Sequence, residues 1–213
     1  SFNVFIPVSV GGGIKDIKDI EEALSAGADK VFINSSALKR PKFLNEASKR
    51  FGSANICLSI ESIKDFNGNF ICMSNYGRDY SNKKLLEWII EAQDLGIGEI
   101  ILTSISKEGL GKGFDLEMLE SIYEKIEVPF IFHGGAGNKK HIYDVLKHNK
   151  VSGVAISSLL HYSLIREKKF KFENTGEGNT EFMKFLLKTI NLKKTNVVAI
   201  KKYLKENGIE IRL

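Results

Sequence analysis

Pro129-Phe130-Ile131-Phe132-His133-Gly134-Gly135-Ala136-Gly137 decides the fold, because an earlier stretch, Pro7-Val8-Ser9-Val10-Gly11-Gly12-Gly13, is built the same way. Each is a short apolar run closed by glycines. Each is followed by a helical stretch and a second apolar run with a polar end: Val31-Phe32-Ile33-Asn34-Ser35 in one copy and Val154-Ala155-Ile156-Ser157-Ser158 in the other. Six residues separate proline from the matched glycine in both copies (Pro7 to Gly13, Pro129 to Gly135), and a further 22 or 23 lead to Ser35 or Ser158. This is an internal repeat of a strand–glycine turn–helix–strand unit. Glycines after a strand let backbone N–H groups approach an anion, and a following helix N-terminus adds a favourable dipole. One such turn alone reads as a tight βα turn that needs φ > 0 and binds nothing. Two matched copies point to two phosphate cradles, one at Gly12 and Gly13 with Asn34 and Ser35, the other at Gly134 and Gly135 with Ser157 and Ser158.

Composition frames this reading. The 213 residues are 43% hydrophobic and 27% charged, enough for one substantial core. No stretch resembles a signal peptide or an 18-residue apolar span, so the sequence reads as cytoplasmic, with no membrane partner. Cys57 and Cys72 lack metal-type spacing and read as reduced, structural thiols; no metal and no cofactor is implied. The net charge of +5 gathers toward the C-terminal third, without the aromatic-interleaved basic stripe of a nucleic-acid surface. A solvated surface, together with attraction for phosphorylated substrates, accounts for it.

Short apolar strands alternate with amphipathic helices along the chain. Strands are predicted at Val4–Val10, Lys30–Asn34, Asn55–Glu61, Glu99–Ser104, Phe130–His133 and Gly153–Ser157. Helices are predicted at Ile17–Ala26, Pro41–Phe51, Lys83–Leu95, Leu116–Ile126, Lys139–His148 and Val197–Asn207. That rhythm means βαβ units and a parallel sheet. One hairpin interrupts it, with Ser62–Asp65 and Phe70–Ser74 on either side of Phe66-Asn67-Gly68-Asn69. The irregular stretch from Arg166 to Asn196 reads as a surface insertion before the last helix.

Side-chain parity orients the strands. Ile56, Leu58 and Ile60 share one face of their strand; Asn55, Cys57, Ser59 and Glu61 share the other. A helix layer takes the aliphatic face, so the polar face lines a barrel interior and Glu61 stands at the C-terminal mouth, where barrel enzymes hold their chemistry. The same parity places Lys30 and Glu99 at the opposite end. On parity alone they form a plug of paired buried charge, with a gated opening as the alternative.

Together these blocks resemble a known family. Pro7–Gly13, Ala26-Gly27-Ala28-Asp29-Lys30-Val31, Phe51-Gly52-Ser53, Gly98–Ser104, Gly111-Lys112-Gly113-Phe114-Asp115, Gly134-Gly135-Ala136-Gly137 and the end from Lys202 to Leu213 are similar to the cyclase subunit of imidazole glycerol phosphate synthase. That family is a (βα)8 TIM barrel of histidine biosynthesis. The resemblance implies a lyase in which a glutaminase partner docks at the barrel bottom, forming a heterodimer, and releases ammonia through the core. At the top, ammonia attacks a substrate with a phosphate at each end, yielding imidazole glycerol phosphate and an aminoimidazole ribotide. It adds Gly109 to the second cradle. It makes Lys30 and Glu99 members of a charged gate for ammonia, and Asp29 a partner-facing position. Glu61 occupies the place of a catalytic aspartate, with an extra methylene that shifts the carboxylate; a displacement of about 1 Å can cost much rate.

Further departures shape the expectation. Ser106-Lys107-Glu108-Gly109 replaces the family's Asp-Arg-Asp-Gly, and His133 stands where a small residue is usual. His133 and Thr103 are candidate substrate contacts, His133 as an imidazole able to bind phosphate or move a proton. Ser1-Phe2-Asn3 runs straight into the family's third strand, so the expectation is a single partial (βα)8 domain over 1–213, third to eighth units, with the insertion at about 166–196. Six parallel strands leave both edges unpaired; the isolated chain is expected to be a fragment, poorly stable and inactive. Two alternatives accompany the cyclase reading: a paralogue passing ammonia to the amidation of a surface sugar, and a non-catalytic scaffold that activates a glutaminase.

Overall fold

The computed structural model describes residues 5–168 and 192–212. Its first half alternates β1 (Ser9–Gly11), α1 (Ile17–Ser25), β2 (Lys30–Ile33), α2 (Ser35–Lys39), α3 (Lys42–Phe51) and β3 (Ile56–Lys64). A hairpin, β4 (Phe70–Ser74) and β5 (Asp79–Lys84), leads to α4 (Leu85–Asp94). Then come β6 (Glu99–Ser104), α5 (Leu116–Ile122), β7 (Phe130–His133), α6 (Lys139–Leu146), β8 (Gly153–Ala155), α7 (Ser158–Lys168) and a last helix, Val197–Glu206. Helix starts carry their own stop signals for the preceding loop. The Asp16 carboxylate accepts the Lys18 and Asp19 amides at 2.9 and 3.1 Å, and Asp19 returns the bond to the Asp16 amide, closing a capping box before α1. Asn138 and Asn196 cap α6 and the last helix in the simpler one-sided way.

Six strands form a parallel sheet in the order β1-β2-β3-β6-β7-β8, with Ser9 opposite Lys30, Cys57 opposite Glu99 and Ile131 opposite Gly153. Among the described residues β1 and β8 are its two ends and do not pair with each other. This is the open parallel α/β sheet that alternation predicts. Parity holds across it. Val31, Ile33, Ile56, Leu58, Ile60, Ile100, Leu102, Phe130 and Phe132 are fully buried beneath a helix layer that contributes Ile20, Phe43, Leu44, Trp88 and Ile89. The residues between them, including Lys30, Phe32, Ser59, Glu61, Ile101 and His133, line the opposite face and are only partly covered. The apolar face welds sheet to helices; the polar face is left for chemistry.

Several boundaries differ from the sequence reading. β1 runs Ser9–Gly11 and overlaps the expected Val4–Val10 only at Ser9 and Val10, with Val4 outside the described residues; the Val8 amide is met by the Asp29 carboxylate at 2.7 Å. β3 runs unbroken through Lys64, parallel to β2 and β6 at first and antiparallel to β4 at its end. The turn that follows is built as expected, with Asp65 accepting the Asn67 and Asn69 amides and Gly68 at φ +84°. The hairpin has a partner that the sequence hid. Asp79-Tyr80-Ser81-Asn82-Lys83-Lys84 forms β5, so the helix expected from Lys83 begins at Leu85. A largely exposed outer strand needs only backbone pairing, and its polar residues give no alternation to read. α2 and α7 are further helices that the sequence pattern does not predict. Of the predicted 166–196 insertion, 169–191 lie outside the described residues, while 166–168 continue α7. No helix among the described residues is long and apolar enough to cross a membrane.

Candidate active site

The C-terminal strand ends bring the polar face to a point. Glu61 on β3 lies opposite Thr103 on β6, and Thr103 lies opposite His133 on β7, so the three stand in a row across neighbouring strands. Thr103 Oγ1 and His133 Nδ1 are 3.0 Å apart. On the other side, Asn34, just past β2, donates from Nδ2 to Glu61 Oε2 at 3.1 Å. Burial pushes the Glu61 carboxyl above the ordinary carboxylate range, and the nearby Glu108 charge pushes it further. Hydrogen bonds from the Gly77 amide and from Asn34 pull the other way. A half-buried carboxyl with a raised proton affinity, held by two donors, is equipped to take and return a proton.

The second glycine turn forms a narrow recess beside this row. Glu108, Gly109, His133, Gly134, Gly135, Ala136, Ser157 and Ser158 line a cavity of about 20 Å³, roughly one water in size, at the N-terminus of α7. Thus Gly109, Gly134, Gly135, Ser157 and Ser158 converge as expected, and His133 joins them. The glycines have a second reason to be there. A Cβ on Gly135 would lie 2.1 Å from the Gly113 carbonyl oxygen, and one on Gly137 would lie 1.9 Å from that of Gly111. The loop after β6 and the loop after β7 interlock backbone to backbone, with the Gly113 amide donating to the Gly135 carbonyl at 2.8 Å. The Gly137 amide donates to His141 Nδ1 at 3.2 Å, which fixes the far end of the turn onto α6.

The first turn is more open. Gly12 and Gly13 have φ of +91° and +83°, and nothing lies within 4 Å of a Cβ placed on either. Their requirement is conformational, not steric. Ser35 begins α2, and its hydroxyl oxygen accepts the Asn75 amide at 3.0 Å; the adjacent Ser36 hydroxyl donates to the Ile14 carbonyl at 2.7 Å. Gly12, Gly13 and Ser35 therefore border one rim. Asn34, expected in the same cage, turns its side chain to Glu61 instead.

At the N-terminal end of the same face, Lys30 donates to Glu99 Oε2 at 2.6 Å, and the Cys57 thiol lies 3.5 Å from Oε1. Burial and the Glu99 charge push the Cys57 thiol up to about 12. Asp29, expected to face a partner, spends its carboxylate on the Val8 amide. Lys30 and Glu99 are joined as parity predicted, by a bond that suits either a plug or a gate.

Sequence reading missed Asn75 and Gly77, and it marked Glu108 only as part of the altered Ser106–Gly109 loop. Asn75, Tyr76 and Gly77 are three successive left-handed residues, φ 52°, 61° and 69°, at the tip between β4 and β5, and that tip delivers two amides to Ser35 and Glu61. The Asn-Tyr-Gly run is the signal the sequence offers for this tip, and it has meaning only once β5 is present to pair with β4.

Comparison with known proteins places this arrangement. Residues 2–166 match the family described as histidine biosynthesis protein. The chain belongs to that family. Among its relatives, the imidazole glycerol phosphate synthase subunit HisF of Streptococcus gordonii is 43% identical over 162 residues, 76% of this chain and 64% of the relative. The protein of the same name from Streptococcus mutans is 34% identical over 209 residues, 98% of this chain and 71% of the relative. That from Bacteroides thetaiotaomicron is 38% identical over 178 residues. Against the Streptococcus gordonii protein this member of the histidine biosynthesis family spans less than two thirds of the relative's length. The matched span, residues 2–166, includes both glycine turns, β3 and β6, the elements that carry the row from Asn34 to His133.

Proposed function

We propose that the protein carrying this chain is the cyclase subunit of an imidazole glycerol phosphate synthase, a lyase of histidine biosynthesis. The observation that carries the reading is Glu61, a carboxyl of raised proton affinity standing at the strand ends between two glycine turns. A substrate with a phosphate at each end would set one phosphate against the amides near Gly12 and Gly13 and the Ser35 hydroxyl. The other would meet Gly109, Gly134, Gly135, Ser157 and Ser158, at the start of an 11-residue helix whose dipole favours an anion. Glu61 then moves protons as ammonia adds and the ring closes, with Thr103 and His133 contacting the substrate beside it.

A glutaminase is the proposed partner, docking at the N-terminal strand ends near Asp29, where Lys30 and Glu99 close the interior as a gate for ammonia. The names of the relatives support the cyclase assignment; the separation of Lys30–Glu99 from Glu61 along the same face supports a passage from one end to the other. The deciding assay is ammonia-dependent turnover of the bisphosphorylated intermediate by the full-length gene product that carries this chain, with Glu61→Ala in parallel. Turnover that disappears in the variant is expected. No turnover by the folded parent protein would remove the cyclase reading and leave sugar amidation or a scaffold role.

A further inference from the structure

Charge alone makes the recess at the second glycine turn a poor home for an anion. Among the described residues its wall holds no lysine and no arginine, and its one carboxylate, Glu108, repels a phosphate. Backbone amides and the α7 dipole offset part of that repulsion, but the dipole amounts to only about half a charge. His133 is the one described side chain in the wall that can carry a full positive charge.

The ring is placed for that role. β7 ends on His133, with Thr103 of β6 on one side and Ala155 of β8 on the other. Nδ1 lies 3.0 Å from Thr103 Oγ1, and Nε2 has no hydrogen-bond partner among the described residues. Nε2 is not one of the buried unpaired atoms either, so it is open to a ligand. A threonine hydroxyl serves both charge states of the ring. It donates to Nδ1 of the neutral imidazole and accepts from Nδ1–H of the imidazolium, so gaining a proton breaks no bond. Few charged groups face the ring from its neighbours. Glu61 lies beyond Thr103 on β3, and Glu108 shares the recess. Lys107 stands beside Glu108 in the loop after β6, its Cβ 3.2 Å from where a Cβ on Gly135 would lie. β8 and residues 134–138 carry no charge, and the first titratable residue of α7 is His161.

We infer that His133 is the cation of the second cradle: Nε2–H meets the bound anion, and the ring takes up a proton from solvent as a phosphate monoester dianion binds. No bond of the ligand changes. This role rests on the proposed function only in taking the second glycine turn as an anion site. It sets His133 against the phosphate itself, and it makes affinity at that turn depend on pH through one proton, which amides and serine hydroxyls alone would not do.

Calorimetric titration of the full-length gene product that carries this chain, with sodium sulfate as the probe, tests this. Sulfate stays a dianion throughout and, unlike phosphate, brings no titrating proton of its own. Heats measured in buffers of different ionisation enthalpy count the protons taken up, and the count should approach one. Affinity should fall as pH rises through the histidine range, by up to about tenfold per pH unit. The His133 imidazole resonances should shift on binding, which assigns the sulfate to the second turn. His133→Gln keeps an N–H donor and cannot be protonated; it should bind with no proton uptake and a flat pH dependence. Glu108→Gln should bind more tightly and keep the uptake. Uptake that survives His133→Gln would overturn the inference, and its disappearance in Glu108→Gln would name Glu108 as the proton acceptor. Sulfate bound by the parent protein without uptake would overturn it as well, while leaving the cradle in place. If the folded parent binds neither sulfate nor inorganic phosphate, the cradle reading fails and takes this inference with it. The parent and Glu108→Gln measurements stand whether or not His133→Gln folds.

Discussion

The Lys30 ammonium reaches over β3 to meet Glu99 at 2.6 Å, passing the Cys57 thiol that lies 3.5 Å from the other carboxylate oxygen. Lys30 and Glu99 thus join two strands, β2 and β6, that are not neighbours. Glu99 is the more enclosed partner, its side chain 11% exposed against 32% for Lys30. Removing one member leaves the other partly buried and unpaired. Lys30→Met or Glu99→Gln should cost about 1–3 kcal/mol in urea unfolding, and the double variant less than the sum of the two. The hydrogen bond to Glu99 raises the Lys30 pKa. That contribution is therefore complete below the ordinary lysine value and is lost as pH rises through the higher folded value. Lys30→Met should show a shallower loss of stability at strongly alkaline pH.

Glu61 carries the opposite burden. Burial raises its pKa, so the folded state favours its protonated form and loses stability as pH rises through the folded value. Glu61→Gln keeps the shape and removes the buried charge. It should raise the thermal midpoint at pH 8 relative to the parent protein, with little change at pH 4, while abolishing any turnover that depends on proton transfer. A midpoint lowered equally at both pH values would contradict the assignment of burial as the dominant cause.

The two glycine turns should respond differently to alanine. At Gly135 and Gly137 a methyl group would sit 2.1 and 1.9 Å from carbonyl oxygens of the loop after β6, so Gly135→Ala and Gly137→Ala should cost about 3 kcal/mol or more and separate the loops. At Gly13 the space is open, and only the left-handed backbone is penalised; Gly13→Ala should cost about 1–2 kcal/mol. Chemical denaturation of the three variants compares these directly.

His141 makes the second turn sensitive to acid. Burial lowers its pKa, and its neutral Nδ1 accepts the Gly137 amide. A histidine with a lowered folded value contributes stability above its ordinary pKa and loses it as pH falls through the folded value. The protection of the Gly137 amide against exchange, relative to its intrinsic rate at each pH, should therefore fall as pH drops below the ordinary histidine value. His141→Phe should flatten that dependence.

Both thiols should be inert in the folded protein. Burial pushes Cys57 and Cys72 up to about 12, which leaves almost no thiolate at neutral pH. Iodoacetamide at pH 8 should modify neither until the chain unfolds, as mass spectrometry would show.

Strand periodicity alone placed Ile56, Leu58 and Ile60 under the helices and Glu61 at the open end, because two-residue alternation is local and every apolar side chain must be buried on one side. The repeated glycine turns were equally legible, since spacing and residue type suffice to mark a βα turn. β5 was not legible. A polar outer strand takes its conformation from backbone bonds to β4, and such bonds leave no trace in side-chain pattern. With it went the hairpin tip, and so the amides of Asn75 and Gly77. The interlock of Gly135 with Gly113 also belongs to the tertiary structure, because close approach of two loops is set by how β6 and β7 lie side by side. Asn34 shows the division within one residue. The sequence fixes it at the end of a strand, where the glycine repeat assigns it to a phosphate cage. The packing of β2 against β3 decides that its amide meets Glu61, because the nearest acceptor in space is a residue 27 positions away in the chain.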